Sequence, residues 1–206
     1  MLKHTWGSHV PLNNAIIDTF NITGVVELGA GLYSTPNLFK IAPKVISIEQ
    51  DSEWIKAVRE EATESDNHKI IEVAPPSHIK RGTHRKEITN QVFEAFNKAL
   101  NTYITGDYNM MFVDCYSGFR YEALIKHHSK FDIVTFHDYQ RKGVIKHYAG
   151  GFVPNSNYQM FIDETYQNHT AFIIKRHLLD KYNDLFANHK KRVVQWLPAE
   201  TKIIKL

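Results

Sequence analysis

Two places in the chain carry side chains suited to proton or cation chemistry. Asp114 follows the apolar run at 109–113 in FVDCYSGFR, and His137-Asp138 follow the run at 131–136 in FDIVTFHDY. An imidazole with a reference pKa near 6.5 can take the proton of a reacting hydroxyl as general base. Two carboxylates can instead hold Mg²⁺ or another hard divalent cation, which binds and acidifies the same hydroxyl. A plainer reading has both aspartates capping the helices that follow and His137 as a satisfied hydrogen bonder.

A second group surrounds a glycine turn. Residues 25–36 read VVELGAGLYSTP, with Gly29 and Gly31 one residue apart after an apolar run and Glu27 two residues before the first glycine. Ser34, Thr35 and Pro36 form a helix-start signal, with Ser or Thr as the expected cap. Twenty positions after Gly29, Glu49 ends the run KVISIE and is followed by Gln50. A carboxylate there can accept hydrogen bonds from both hydroxyls of a ribose. A dinucleotide fingerprint needs a third glycine, G-x-G-x-x-G, and Ser34 stands in its place, which disfavours NAD or FAD.

These residues need a scaffold that brings run ends together, and the pattern supplies one. Strands are expected at 24–28, 44–49, 70–73, 109–113 and 131–136, and helices at 11–20, 37–41, 52–63, 86–102 and 121–128. Their alternation predicts an α/β fold with a mostly parallel sheet covered on both faces. Runs at 158–162 and 171–175, separated only by a polar turn, predict an antiparallel pair at the sheet edge. In such sheets ligands bind outside the carboxyl ends of the strands, where strand order reverses. The length of 206 residues suits one domain, with residues 1–23 a cover segment and helix and 176–206 a C-terminal extension.

VVELGAG with VISIEQD resembles the first two motifs of class I S-adenosylmethionine (SAM) methyltransferases. The likeness spans about residues 5–175 and extends to small bacterial and phage-type members through Gly7-Ser8-His9-Val10-Pro11, the ELGAGLYSTP turn, Asp51-Ser52-Glu53-Trp54 and His137-Asp138. The resemblance implies a Rossmann-like fold and SAM as cofactor, with contacts from Glu27, Gly29, Gly31, Ser34, Thr35, Glu49 and Gln50. It also implies that residues 4–11 fold across the crevice, bringing Ser8 and His9 near the methionine end of SAM. Catalysis would fall to His137, Asp138 and Asp114. The divalent-metal O-methyltransferases draw their carboxylates from the same two strand ends, which would make Asp114 and Asp138 the ligands of Mg²⁺. Val73-Ala74-Pro75 stands where the class often has an acid for the adenine amino group. Methyl transfer to a hydroxyl or carboxylate of a small molecule is the function expected. The alternatives are a SAM- or nucleotide-binding module without methyl transfer and a dinucleotide-dependent oxidoreductase.

Charge and composition refine the partner. A net charge of +3 on 25 basic and 22 acidic side chains is too balanced for a polyanion binder. The (D/N)-P-P-(Y/F) motif of base amino-methyltransferases is absent at Asp114-Cys115-Tyr116-Ser117, so nucleic acid is not the expected partner. The densest basic stretch, HIKRGTHRK at 78–86, puts Arg81 and Arg85 in a loop that could receive an anionic substrate, and Arg120 is a further candidate. The lone Cys115 allows no internal disulfide and is expected to be a buried thiol. The remaining histidines, including the neighbours His127 and His128, are expected at the surface. No run of about 18 apolar residues could span a bilayer, and the opening MLKHTWGSHVPLNN has no signal core. A cytoplasmic setting is therefore expected.

Overall fold

The β-branched runs form strands in the computed structural model, which describes residues 7–73, 85–104, 106–115, 117–139, 152–163, 169–189 and 193–195. In chain order they give α1 (Val10–Thr19), β1 (Val25–Leu28), α2 (Ser34–Ile41), β2 (Val45–Glu49), α3 (Ser52–Glu61), β3 (His68–Glu72), α4 (Arg85–Tyr103) and β4 (Met110–Val113). Then come α5 (Ser117–His127), β5 (Ile133–Phe136), β6 (Tyr158–Asp163), β7 (Thr170–Lys175), α6 (Tyr182–His189) and β8 (Val193–Gln195). The eight strands form one sheet in the order β3-β2-β1-β4-β5-β7-β6-β8. The first five in sequence pair in parallel, while β7 runs antiparallel to both β5 and β6. The expected antiparallel pair is present, with β8 added outside it.

Successive side chains of the central strands serve opposite faces. On β4, Met111 and Val113 pack with Phe96 and Leu100 of α4 and Phe119 of α5. Met110 and Phe112 pack with Leu12 and Ile16 of α1, Leu38 of α2 and Ile55 of α3. Both faces are therefore apolar, which is why these strands read as continuous hydrophobic runs.

Two local expectations are corrected. Ser34 and Thr35 lie inside α2, whose preceding residue Tyr33 makes no side-chain cap. Thr35 Oγ1 instead turns back to accept the Gly31 N–H at 2.9 Å. His127 and His128 are buried rather than at the surface. His127 Nε2 meets Asn97 on α4 at 2.7 Å, and His128 Nδ1 donates to the Leu124 carbonyl, so the two rings close the end of α5.

Candidate functional site

Strand register gathers the residues that could do chemistry. Leu28 pairs with Ile48 on one side and Val113 on the other, and Val113 pairs with Phe136. The next residues in each strand are Gly29, Glu49, Asp114 and His137, which therefore form one row along the carboxyl edge. The order β3-β2-β1-β4-β5 reverses direction between β1 and β4, so the crevice of the fold opens beside Gly29.

Gly29 has φ +90°, and a Cβ on it would lie 2.5 Å from Cys115 Cα. Only glycine lets β1 turn this close to the end of β4. The turn is pinned from two sides. Trp54 Nε1 on α3 donates to the Ala30 carbonyl at 2.6 Å. Beneath it, Thr35 Oγ1 donates to Glu27 Oε2 at 2.7 Å, and Ser47 Oγ donates to the same oxygen. Glu27 is 0% exposed; its Oε2 holds the turn from below, while its Oε1 has no hydrogen-bond partner among the described residues. Its carboxyl is pushed up to about 7 by burial, against the pull of hydroxyls from Ser34, Ser47 and Thr35. Trp54 was named only as part of a motif, with no role given to it, and Ser47 was not singled out. A serine within the otherwise apolar run VISIE was the available signal for one, and the Glu53-Trp54 motif for the other.

Glu49 and Gln50 fit a ribose. Glu49 Oε1 accepts the backbone N–H groups of Gln50 and Asp51 at 2.8 and 3.0 Å, which fixes the carboxylate at the strand end. Burial raises its pKa to about 7. Gln50 Oε1 is a buried acceptor without a hydrogen-bond partner among the described residues, which suits a donor such as a ligand hydroxyl.

The opposite side of the crevice is a charged cluster. His137 Nε2 is 2.8 Å from Ser8 Oγ, and its Nδ1 is 3.3 Å from Asp114 Oδ1 and 3.8 Å from Asp138 Oδ1. His9 lies edge-on to His137, ring centroids 4.8 Å apart, with its Nδ1 3.9 Å from Asp114 Oδ2. Ser8 and His9, just ahead of α1, are buried beside His137; residues 1–6, with Trp6, lie outside the described residues. The seat of α1 is set by a buried bond between Thr135 Oγ1 on β5 and Asn13 Oδ1, 2.9 Å. Burial depresses the His9 imidazole to about 3 against the attraction of Asp114, leaving it neutral. For Asp114, burial pushes upward, but Arg120, His137 and His9 together outweigh it and hold the carboxyl at about 2. Asp138 is left-handed at φ 58°, a conformation that non-glycine residues hold only where the surroundings impose it.

Arg120 corrects two expectations. Its guanidinium lies 2.7 Å from Asp114 Oδ1 and 3.1 Å from Asp138 Oδ2. It also donates to the carbonyls of Cys115, His137 and Asp114. A guanidinium has five N–H donors, and these acceptors take them all, so Arg120 is a clamp between the ends of β4 and β5 and not a receptor for a substrate anion. The same contact argues against Asp114 and Asp138 as a Mg²⁺ pair, because the cation bridging them is Arg120 itself. Arg81 lies outside the described residues, and Arg85 opens α4. Cys115 is a buried thiol whose pKa burial pushes up, as expected of a structural cysteine.

The sequence matches no protein-family model and no curated protein. The structure does resemble solved ones. An O-methyltransferase from Bacillus cereus in complex with SAH superposes with a TM-score of 0.57 at 11% identity, covering 85% of this chain and 83% of that one. An rRNA methylase from Streptococcus thermophilus gives 0.53 at 12% identity, covering 85% and 98%. Strand order, the glycine turn at the reversal point and these likenesses agree: the chain has the class I methyltransferase fold.

Proposed function

We propose that the protein binds SAM across the β1–β4 crevice and transfers its methyl group to an oxygen of a small molecule, a hydroxyl or a carboxylate. The observation that carries this reading is the pair Glu49 and Gln50, a carboxylate fixed at the end of β2 and an unpartnered amide oxygen beside it, one strand away from the glycine turn. They suit the ribose hydroxyls, and Arg120, the described arginine beside the crevice, is engaged by Asp114 and Asp138 rather than held out for a pyrophosphate. Bound there, SAM supplies an electrophilic methyl on a sulfonium. The chain's own task is to hold the acceptor in line with that methyl and to see its proton removed. His137 and Asp114 border the acceptor side, and Asp138, tied to Arg120, is a positioning residue. Ser8 and His9 shut water out above them.

Glu49→Ala tests the cofactor reading. Loss of two charge-assisted hydrogen bonds, each about 1.5–3 kcal/mol, should lower SAM affinity at least about tenfold by calorimetry with the circular dichroism spectrum unchanged. Unaltered SAM binding would remove the main support.

A second reading, an RNA acceptor, draws on the Streptococcus thermophilus rRNA methylase among the similar structures. The sequence at Asp114-Cys115-Tyr116-Ser117 speaks against base amino-methylation but not against methylation of a ribose hydroxyl. Incubation with radiolabelled SAM and total RNA separates the two, since only an RNA methyltransferase labels the RNA.

A further inference from the structure

The cluster over the ends of β4 and β5 contains a ligand set that shares Asp114 with the aspartate pair and otherwise uses imidazoles. One ligand atom each from His9, Asp114 and His137 lies within 4.8 Å of the others. His9 is 2% exposed, and neither of its ring nitrogens has a hydrogen-bond partner among the described residues. An imidazole buried in this way sacrifices its hydration on both sides, and here it faces a carboxylate and a second imidazole. His137 is oriented by Ser8, whose Oγ lies 2.8 Å from Nε2. A ligating histidine commonly donates its other ring N–H to such a partner, which fixes the tautomer and leaves the first nitrogen's lone pair for the metal. Asp114 remains available because Arg120 engages Oδ1 at 2.7 Å, while Oδ2 faces His9.

We propose that His9, Asp114 and His137 form a binding site for a borderline first-row dication of the Zn²⁺ type. Two imidazole nitrogens and one carboxylate oxygen suit such an ion, whereas Mg²⁺ and Ca²⁺ prefer oxygen. Charge supports the choice, since Asp114 and Asp138 carry two negative charges and Arg120 cancels only one. Tetrahedral bonds of about 2.0–2.1 Å place ligand atoms ~3.3 Å apart, so loading draws the three side chains together by small rotations. With three protein ligands a coordination position stays open, as in catalytic zinc sites. His9 precedes α1 and the other ligands lie on strand ends, so the ion would fasten the N-terminal segment over the crevice. In the loaded protein the lone pair of His137 is engaged, and the dication rather than the imidazole would acidify an acceptor hydroxyl. Site geometry alone supports the binding site; only this last role rests on the methyltransferase reading.

The test uses the full chain, stripped with a chelator, then titrated with ZnCl₂ by calorimetry and with CoCl₂ by visible absorption. One Zn²⁺ per chain at micromolar affinity or tighter is expected, with visible bands from bound Co²⁺ and no competition from millimolar Mg²⁺. His9→Ala and His9→Gln should each weaken Zn²⁺ binding at least about 100-fold, and Ser8→Ala about 10- to 100-fold, the range for a group that orients a ligand. Zinc-edge X-ray absorption of the unmutated protein should show two imidazoles, a readout independent of how any variant folds. No zinc binding, a spectrum without imidazole, or full affinity in folded His9 variants would each overturn the proposal. Mg²⁺ binding that survives His9→Ala but not Asp138→Asn would transfer the site to the aspartate pair. SAM titrated into the same samples reports separately: zinc without SAM sinks the methyltransferase reading alone, and SAM without zinc sinks the metal site alone.

Discussion

Glu49 is held ready for hydrogen-bond donors at an energetic cost. Burial lifts its carboxyl from 4.5 to about 7, against the two backbone N–H bonds that favour the charged form. A raised carboxyl contributes stability that is fully present below the unfolded pKa and is lost as pH rises through the folded one. The ligand-free protein should therefore lose stability between pH 4.5 and about 7. Ribose hydroxyls donate to the charged form, so SAM affinity should change in the opposite direction, falling by up to about tenfold per pH unit below 7. Glu27 titrates in the same range but is enclosed, so Glu49→Gln is the control. Calorimetry from pH 5.5 to 8 should show the slope in the native protein and a flattened one in the variant; equal slopes would detach Glu49 from the cofactor. Glu49, Gly29, Asp114 and His137 were all legible in the sequence because each stands where an apolar run stops, and run ends in a parallel sheet share an edge. What Arg120 does was not legible. Its spacing from Asp114 shows a neighbour on the next helix, but its bond to Asp138 depends on β4 and β5 lying side by side.

At the scale of elements, α1 is placed by a polar bond inside an apolar interface. Thr135 on β5 and Asn13 on α1 are 0% and 1% exposed, and 122 positions separate them. Thr135→Val strips Asn13 Oδ1 of its partner, which should destabilise by about 1–3 kcal/mol. Replacing both residues with apolar ones of similar shape, Thr135→Val with Asn13→Leu, should recover most of the loss. Urea denaturation of the two single variants and the double variant measures this, and additive losses would show that the bond does not set the seat of the helix. The strand alternation predicted the sheet because periodicity is local. The seat of α1, and with it the meeting of His9 and His137, was hidden because it rests on contacts between segments far apart in the chain. Thr135 within FDIVTF was the trace of it, a polar residue in a run that packing would otherwise fill with carbon.

Across the whole molecule, most of the described candidate groups come from the chain's opening segment, from the ends of β1, β2, β4 and β5 and from the first turns of the helices that follow them. The antiparallel pair β6 and β7 buries β5 without adding to them. Among the described residues no helix is long and apolar enough to cross a membrane. The opening segment joins the core over His137, so deleting residues 1–9 should lower the melting temperature and also reduce the further rise that saturating SAM provides. A truncated protein with the melting temperature and SAM response of the full chain would show that segment to be an appendage. Arg120, finally, gives the crevice a counter-ion that is part of the chain. A buried and a half-buried carboxylate left facing each other would repel, and strand ends built that way would depend on the ions dissolved around them. Here half of that charge is neutralised by a side chain that folds with them, so the closing of β4 on β5 does not wait on dissolved magnesium, and a ligand carrying a positive sulfonium meets a wall whose negative charge is already half spent.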